Sequence, residues 1–326
     1  MTRDQSIDIA KGIGIITVVW GHMDNACPVK EEIYLFHMPL FFLLSGYFFN
    51  LKKDNSLTEI IGKKINSYII PYILFFIINI FIFIALYALT GRTESIHIYP
   101  RILIYPYGVV RPLWFLISLF EVSIFYLFIH SIFKKEHLIS FIILLLYICG
   151  VFLFVFDIHL PLFLDASLSM LLFFHIGYLL HKYQIFNLAI INKVLITIIG
   201  LSFYIIAVRK HLNVDIMINN LSSNVFLFTF SALGISVVIL YISQLLSKTS
   251  HISKLFAFLG RKSLVIFALH ILCFELARTF FGFPVLEEST YLDGTLMTIL
   301  GIIGSLLLGY PIEKYILPVF TKKWFK

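Results

Sequence analysis

Residues 68–90 read YIIPYILFFIINIFIFIALYALT, a run that contains no charged side chain. A helix rises about 1.5 Å per residue, so a run of this length crosses a hydrocarbon core of about 30 Å. Phe and Ile dominate it, which favours a membrane helix over a strand of a β-barrel. The run therefore predicts a transmembrane helix.

Similar apolar runs recur along the 326 residues, of which 60% are hydrophobic, 17% aromatic and 13% charged. With a mean hydropathy of +0.96, the chain lies far outside the range of soluble domains. We expect an all-α, polytopic membrane helix bundle of about ten transmembrane helices, forming one membrane-embedded domain over residues 1–326 without a separate soluble domain. The predicted spans lie near 6–26, 33–50, 68–90, 112–133, 138–156, 160–181, 188–208, 224–246, 263–283 and 294–317.

The net charge of +7 comes from Lys and Arg residues in the loops between these runs. With the N-terminus in the cytoplasm, sixteen basic residues lie on the cytoplasmic side and six on the opposite side. This asymmetry follows the positive-inside rule, and an even number of helices places both termini in the cytoplasm. The basic residues form no single stripe with interleaved aromatics, so we expect no nucleic-acid partner.

Two further features bound the class of protein. The three cysteines, Cys27, Cys149 and Cys273, lack the paired spacing of a disulfide framework or a metal site, and we expect no bound metal. The N-terminal segment carries charged residues where a signal peptide has a purely apolar stretch, so it is expected to remain as the first helix.

The first predicted helix carries several ionisable side chains, each costing roughly 2.5 to 3.5 kcal/mol inside a membrane on insertion scales. Asp8, Lys11 and His22 follow helical spacing. Eleven steps of about 100° lead from Lys11 to His22, which is about 20° more than three full turns, with about 16 Å of rise. These groups therefore share one face, with Lys11 toward the cytoplasm and His22 deeper or toward the outer side.

Two interpretations of this face are open. Asp8 and Lys11 form either a local ion pair near the membrane surface or part of a functional site, and His22 is either a hydrogen-bonded packing residue or a catalytic group. The second predicted helix adds His37 at a kink made by Pro39, shortly after the loop that follows His22. We expect the two histidines to converge near the outer end of the first helix pair, where an imidazole can exchange a proton near neutral pH.

Several short motifs resemble the membrane acyltransferase-three family, most closely its fucose-4-O-acetylase-like branch. They are DIAKG at 8–12, GH at 21–22, FHMPLFF at 36–42 and SGY at 45–47. Two further stretches, PLWFL at 112–116 and SLVIFALH at 263–270, are similar to later landmarks of the family. The resemblance thus covers most of the chain in order.

The resemblance implies about ten membrane helices and the transfer of acyl groups, usually acetyl from acetyl-CoA, to hydroxyls of surface carbohydrates. The family hallmark is a basic residue, ten intervening positions and a histidine, which Lys11 and His22 match. It implies that His22 is the essential catalytic residue, as a general base or a transient acyl carrier, and that Lys11 is its basic partner. We assign His37 and Asp8 to the same catalytic group.

The chain departs from the family at its basic residues. Many relatives carry Arg where this chain has Lys11, and a motif of two arginines three positions apart is represented only by Lys63, Lys64 and Ser67. We expect Lys11, Lys63 and Lys64 to bind the phosphates of acyl-CoA. Lysine makes a point-charge contact where arginine binds a phosphate with two hydrogen bonds, so the contacts differ from those of the relatives.

Candidate acceptor residues lie at the predicted outer end of the fourth helix. Arg111 and Trp114 are either a flanking charge with an aromatic anchor at the membrane surface or a binding site for a sugar ring. Glu121, two turns further into the helix, is a candidate partner for a histidine or for Lys11. We also expect His175 to be a packing residue and Glu275 to pair with Arg278.

The sequence leads to a multi-pass protein of the inner cell membrane that moves an acetyl or other short acyl group from cytoplasmic acyl-CoA. The acceptor is a hydroxyl of a surface polysaccharide or of its lipid-linked precursor. The alternative is a transporter or exporter of a lipid-linked sugar or small solute, in which the same buried charges form a substrate pathway.

The charge asymmetry predicts the topology of the chain. Reporter fusions after Phe49 and at Lys326 should be cytoplasmic, and a fusion near Thr93 should be external, because the side with more Lys and Arg stays inside. Alkaline phosphatase and fluorescent-protein fusions measure this directly. An external C-terminus would contradict the ten-helix topology.

Overall fold

The computed structural model describes residues 5–23, 27–49, 56–91, 106, 108–249, 251–281 and 290–321. Its regular structure is helical, apart from an isolated antiparallel bridge between Asp215 and Asn220. Eight helices in the described ranges are long and apolar enough to cross a membrane. The prediction of an all-α, multi-pass membrane protein is therefore confirmed.

Fourteen α-helices follow one another along the described chain. They are α1 (Gln5–Gly21), α2 (Lys30–Tyr34), α3 (His37–Tyr47), α4 (Leu57–Lys64), α5 (Ile70–Leu89), α6 (Trp114–Ile132), α7 (Glu136–Val155), α8 (Leu164–Lys182), α9 (Ile190–Arg209), α10 (Val225–Leu246), α11 (Ile252–Arg261), α12 (Ser263–Phe281), α13 (Tyr291–Pro311) and α14 (Leu317–Thr321). A π-helical segment, Ile65–Ile69, joins α4 to α5, and another, Ile312–Ile316, joins α13 to α14. Short 3₁₀ turns precede α6, α8, α9 and α10.

The eight spanning helices correspond to the last eight of the ten predicted spans. The first two predicted spans are shorter than expected: α1 has 17 residues, and the second span is divided into α2 and α3, of 5 and 11 residues. Pro39 lies in the first turn of α3, where its missing N–H costs no helical hydrogen bond. The cytoplasmic location of both termini stays a prediction, and Thr93 and Lys326 lie outside the described residues.

The chain is divided into two compact units, each assembled from separate stretches of sequence. The first unit comprises Met1–Thr17, Glu31–Leu51 and Glu121–Ser263. The second comprises Val18–Lys30, Lys52–Phe120 and Leu264–Lys326. Helices α1, α6 and α12 each contribute residues to both. That the chain forms one functional domain stays a prediction.

In the first unit, α3 packs against α8 at the distance that only glycine allows. A Cβ atom at Gly46 would overlap the carbonyl oxygen of Phe174, and one at Gly177 would overlap the carbonyl oxygen of Leu43. The two glycines thus let each helix rest on the backbone of the other. Nine residues of α3 are buried, so this short helix is covered on most sides.

Helix α11 also packs on α1 through a pair of glycines, again within the first unit. A Cβ at Gly12 would overlap the carbonyl oxygen of Phe256, and one at Gly260 would overlap that of Asp8. The amphipathic α11 was not among the predicted elements, because its 10 residues are too few to cross a membrane. The close packing of α11 on α1 places the last turn of α11 beside the polar face of α1.

In the second unit, α12 lies against α13 and near α5. The glycines of α13 make room for α12: a Cβ at Gly301 would lie 2.6 Å from the ring of Phe274, and one at Gly304 would lie 3.1 Å from the sulfur of Cys273. The amide of Asn79, the one polar residue in the interior of α5, donates a hydrogen bond of 2.8 Å to the carbonyl oxygen of Ala268. This bond satisfies a donor that lipid could not.

The contact between α3 and α8 predicts a loss of stability when Gly46 is enlarged. In Gly46→Ala the new methyl group overlaps a backbone oxygen, so the helices must separate, at a cost of about 1–3 kcal/mol. The midpoint of thermal unfolding in detergent should fall by several degrees. Ala88→Val, which enlarges an exposed residue of α5, is the control, and an unchanged midpoint for Gly46→Ala would contradict the packing.

Candidate active site

His22 lies at the C-terminal end of α1, where its backbone N–H donates to the carbonyl oxygen of Val18 at 3.1 Å. Its side chain is half-buried and belongs to the second unit. The Nδ1 atom of His22 lies 2.9 Å from Nε2 of His270, which is within hydrogen-bond distance. The two rings are stacked, with 14° between their planes and 5.1 Å between their centroids.

His270 lies in the middle of α12, where its side chain is 0% exposed. Its Nδ1 atom lies 2.8 Å from the carbonyl oxygen of Phe267 and 3.1 Å from that of Ile266, both in the preceding turn of the same helix. Both ring nitrogens of His270 are therefore engaged, one with the backbone and one with His22. The packing alternative for His22 thus acquires a specific form, a hydrogen bond to a second histidine.

A second contact ties α12 to the segment that follows His22. The guanidinium of Arg278 donates to the carbonyl oxygen of Met23 at 3.2 Å and pairs with Glu275 at 2.9 Å. The predicted pairing of Glu275 with Arg278 is confirmed. Together, His270 and Arg278 hold the end of α1 from two positions on one helix.

In the first unit, the N-terminal half of α1 presents Asp8 and Lys11. Asp8 is buried, and its carboxylate lies 4.0 Å from the guanidinium of Arg261, at the end of α11. The ammonium group of Lys11 lies 4.7 Å from the centroid of the Phe48 ring, a cation–π distance. Arg261 had no predicted role, and it adds a third charged group to this region.

His37 begins α3 and is buried in the first unit. Its Nδ1 atom lies 2.9 Å from the carbonyl oxygen of Ile33, and its ring lies 4.8 Å from that of Tyr34. His22 belongs to the second unit, and the predicted convergence of His37 with it stays a prediction. Each histidine is anchored within its own unit.

The other predicted donor-site residues, Lys63 and Lys64, end α4 in the second unit. The ammonium group of Lys63 pairs with Glu59 at 2.5 Å, one turn earlier in the helix. The ammonium group of Lys64 lies 5.5 Å from the centroid of the Tyr68 ring. Their predicted role in binding the donor is not tested by these contacts.

The three predicted acceptor-site residues lie in different surroundings. Arg111 is exposed on the 3₁₀ turn Gly108–Leu113, whereas Trp114 is buried at the start of α6, with its ring edge-on to Phe115. Glu121 accepts a hydrogen bond of 2.7 Å from the hydroxyl of Ser167. Within the described residues, Glu121 is hydrogen-bonded neither to a histidine nor to Lys11. Arg111 and Trp114 belong to the second unit and Glu121 to the first.

The structure confirms one packing role and reveals one partner that the sequence did not indicate. His175 is buried, with Tyr126 and Ser140 each 2.8 Å from one of its ring nitrogens, as expected of a packing residue. In the sequence, His270 is only the last residue of a stretch that is similar to a family landmark. The pattern of α12 marks it as a polar residue in an apolar helix, which is the signal that sequence alone offers.

Comparisons with known proteins supply a family for this arrangement. The family model for the acyltransferase domain, acyltransferase-3, matches residues 4–314 and so extends over both compact units. Nodulation protein NolL of Mesorhizobium japonicum is 36% identical over 83 residues, covering 21% of this chain and 22% of that protein. NolL of Sinorhizobium fredii is 46% identical over 56 residues, covering 14% of this chain and 15% of that protein. The alignments thus span about a fifth or less of either relative, and no solved structure matches the chain.

Proposed function

The chain belongs to the acyltransferase-3 family, and from this premise we propose that it transfers acetyl groups from cytoplasmic acetyl-CoA to a hydroxyl of a surface polysaccharide or its lipid-linked precursor. Membership makes it a membrane acyltransferase with an acyl donor and an acceptor, and decides against the transporter alternative. The choice of acetyl-CoA and of a saccharide follows from the resemblance of its motifs to the fucose-4-O-acetylase-like branch.

One observation supports His22 as the catalytic residue of this reaction. Its imidazole is half-buried at the end of α1 and hydrogen-bonded to His270, which leaves the ring oriented rather than free to rotate. A base held in one orientation is what proton transfer requires. His22 also occupies the histidine position of the family hallmark.

The proposed chemistry needs one base and no covalent intermediate. His22 takes the proton of the acceptor hydroxyl as its oxygen attacks the thioester carbonyl carbon. The C–S bond then breaks, and the imidazolium of His22 returns the proton to the departing sulfur of CoA. The net products are the acetyl ester and free CoA.

The donor is proposed to bind through the basic residues of the predicted cytoplasmic side, chiefly Lys11. Its ammonium group lies over the Phe48 ring, and the nearby pair of Asp8 with Arg261 brings a guanidinium to the same unit. Guanidinium and ammonium groups are the usual ligands of phosphates. Lys63 and Lys64 are proposed to add to this attraction.

The acceptor is proposed to approach from the outer side, near Arg111, Trp114 and Glu121. Arg111 offers an exposed guanidinium, which can donate hydrogen bonds to sugar hydroxyls, and Trp114, buried at the start of α6, is proposed to support this site from within. Glu121 is already oriented by its hydrogen bond with Ser167. His37 is proposed to orient the acceptor or the thioester carbonyl.

Lys11 gives a prediction for donor binding. Lys11→Met should raise the KM for acetyl-CoA by roughly ten- to a hundredfold, because a hydrogen bond to a charged group contributes about 1.5–3 kcal/mol. Lys11→Arg, which keeps the charge, should keep much of the affinity. Initial rates at varied acetyl-CoA concentration measure both.

The control for this experiment is Lys134→Met. Lys134 is an exposed lysine whose ammonium group donates to carbonyl oxygens at the end of its own helix, α6. Its replacement should leave the KM for acetyl-CoA unchanged. An unchanged KM in Lys11→Met would leave Lys11 with only its structural contacts.

His22 gives the prediction that tests the function as a whole. Purified wild-type protein should cleave acetyl-CoA and transfer labelled acetyl to a saccharide acceptor, which a transporter would not do. His22→Ala should lose about 10²- to 10⁴-fold in transfer rate, the usual contribution of a general base. His37→Ala should lose less, because an orienting residue leaves the base in place.

The wild-type rate should also fall as the pH is lowered, since an imidazolium cannot accept a second proton. Membrane protein level and elution from size exclusion report whether each variant folds. Normal acetylation by well-folded His22→Ala would refute the mechanism and return His22 to a packing role. Labelled acetyl bound to wild-type protein, but absent from His22→Ala, would identify His22 as an acyl carrier instead.

A further inference from the structure

The hydrogen bonds around His270 determine which of its nitrogens carries a proton. Nδ1 lies within hydrogen-bond distance of two carbonyl oxygens, those of Phe267 and Ile266. A carbonyl oxygen only accepts hydrogen bonds, so Nδ1 of His270 must be the donor. In a neutral imidazole the other nitrogen then has no hydrogen, and Nε2 of His270 is an acceptor.

The protonation of His270 also determines which nitrogen of His22 carries the hydrogen. Its Nδ1 atom lies 2.9 Å from Nε2 of His270, and one of the two nitrogens must supply the hydrogen. Because Nε2 of His270 is the acceptor, Nδ1 of His22 is the donor. The hydrogen of a neutral His22 is thereby held on Nδ1, and its Nε2 carries the lone pair.

The reverse arrangement would require a positively charged His270, with hydrogens on both nitrogens. His270 is 0% exposed, and its neighbours include the rings of Phe267 and Phe274. Burying an unpaired charge among apolar side chains is strongly unfavourable. The one carboxylate of α12, that of Glu275, pairs with Arg278 of the same helix rather than with His270.

We propose that His270 is a positioning residue that holds His22 in the tautomer whose Nε2 atom accepts the proton of the acceptor hydroxyl. The proposal rests on the O-acetyl transfer proposed for this chain. His270 makes no contact with the substrate in this scheme and acts only through His22. A series of hydrogen bonds thus runs from the carbonyl oxygen of Phe267 through His270 to His22, whose Nε2 atom is the proposed base.

The charge balance of the reaction is consistent with this role. When Nε2 of His22 takes the hydroxyl proton, His22 becomes an imidazolium with hydrogens on both nitrogens. Its Nδ1 hydrogen still points at Nε2 of His270, so the hydrogen bond is kept and strengthened by the charge. No proton moves to His270, and the proton leaves again from Nε2 of His22 to the sulfur of CoA.

The first test measures the tautomer of His22 by nuclear magnetic resonance in the absence of substrates. Wild-type protein with ¹⁵N-labelled histidine, in lipid nanodiscs, should show Nδ1 of His22 bearing hydrogen and Nε2 bearing none, with the signals assigned by their loss in His22→Ala. In His270→Leu the His22 signals should shift toward a mixture of the two tautomers. A wild-type spectrum with hydrogen on Nε2 of His22 would overturn the proposal.

The second test uses two substitutions at position 270 that differ in one property. His270→Leu fills a similar volume without an acceptor, and His270→Gln places an amide oxygen near the position of Nε2. His270→Leu should lower kcat by at least tenfold, but by no more than the roughly 10²- to 10⁴-fold loss of His22→Ala, with KM values unchanged. His270→Gln should restore much of the lost rate.

A double-mutant cycle separates positioning from packing. If His270 acts only through His22, His270→Leu should cause no further loss in the His22→Ala background. If it only packs, its effect should be the same in both backgrounds, and the proposal fails. His175→Leu is the matched control, since His175 is also a buried histidine hydrogen-bonded between helices, and its rate per folded protein should equal that of the wild type.

Failure of the proposed function and failure of this inference give different results. If the protein does not acetylate saccharides, the tautomer signals of wild-type and His270→Leu protein still decide whether His270 orients His22. A different outcome is that transfer occurs and depends on His22 while His270→Leu and His270→Gln have equal rates. The acceptor atom at position 270 then has no effect, and His270 has no positioning role.

Discussion

Lipid offers no hydrogen bonds, so polar side chains in the apolar helices must find their hydrogen-bond partners within the protein. The amide of Asn79 reaches a backbone oxygen of α12, and the hydroxyl of Ser236 donates to the carbonyl oxygen one turn earlier in α10. His270 satisfies both of its nitrogens, one with its own helix and one with His22. Since each such group has few possible partners, its orientation is restricted. A catalytic side chain in this setting is oriented by the same requirement that keeps it hydrogen-bonded.

The long helices could be predicted from sequence because hydropathy and length both point to the same answer. The spans predicted at 138–156 and 224–246 correspond to α7 and α10 within two residues at either end. The second predicted span failed as a single helix because the backbone breaks at Phe36, where the ring of Pro39 would clash with the carbonyl of Leu35 in a continuous helix. Helix α11 was missed because a short amphipathic helix has no apolar run long enough to indicate a membrane span.

In the candidate site, too, some features could be predicted from the sequence and others could not. His22 and Lys11 could be found because they share a face of one helix and match a motif with fixed spacing. Helical spacing and motifs could not identify His270 as the partner of His22. The two residues are 248 positions apart in sequence, and only tertiary packing brings them together. The contact of Asp8 with Arg261 is likewise made by the packing of α1 on α11. Local periodicity thus located the proposed catalytic residue, whereas its neighbours in space could be found only from the fold.

The pairing of α3 with α8 has a consequence for how the protein enters the membrane. The 11 residues of α3 rise only about 16 Å as a helix, about half of the hydrocarbon thickness. Such a segment is too short to cross the bilayer alone, yet its glycine contact surface belongs to α8, which the ribosome makes much later. Because synthesis runs from the N-terminus, α3 is complete before the helix that covers it exists. The packing of this part of the bundle must therefore follow synthesis of α8.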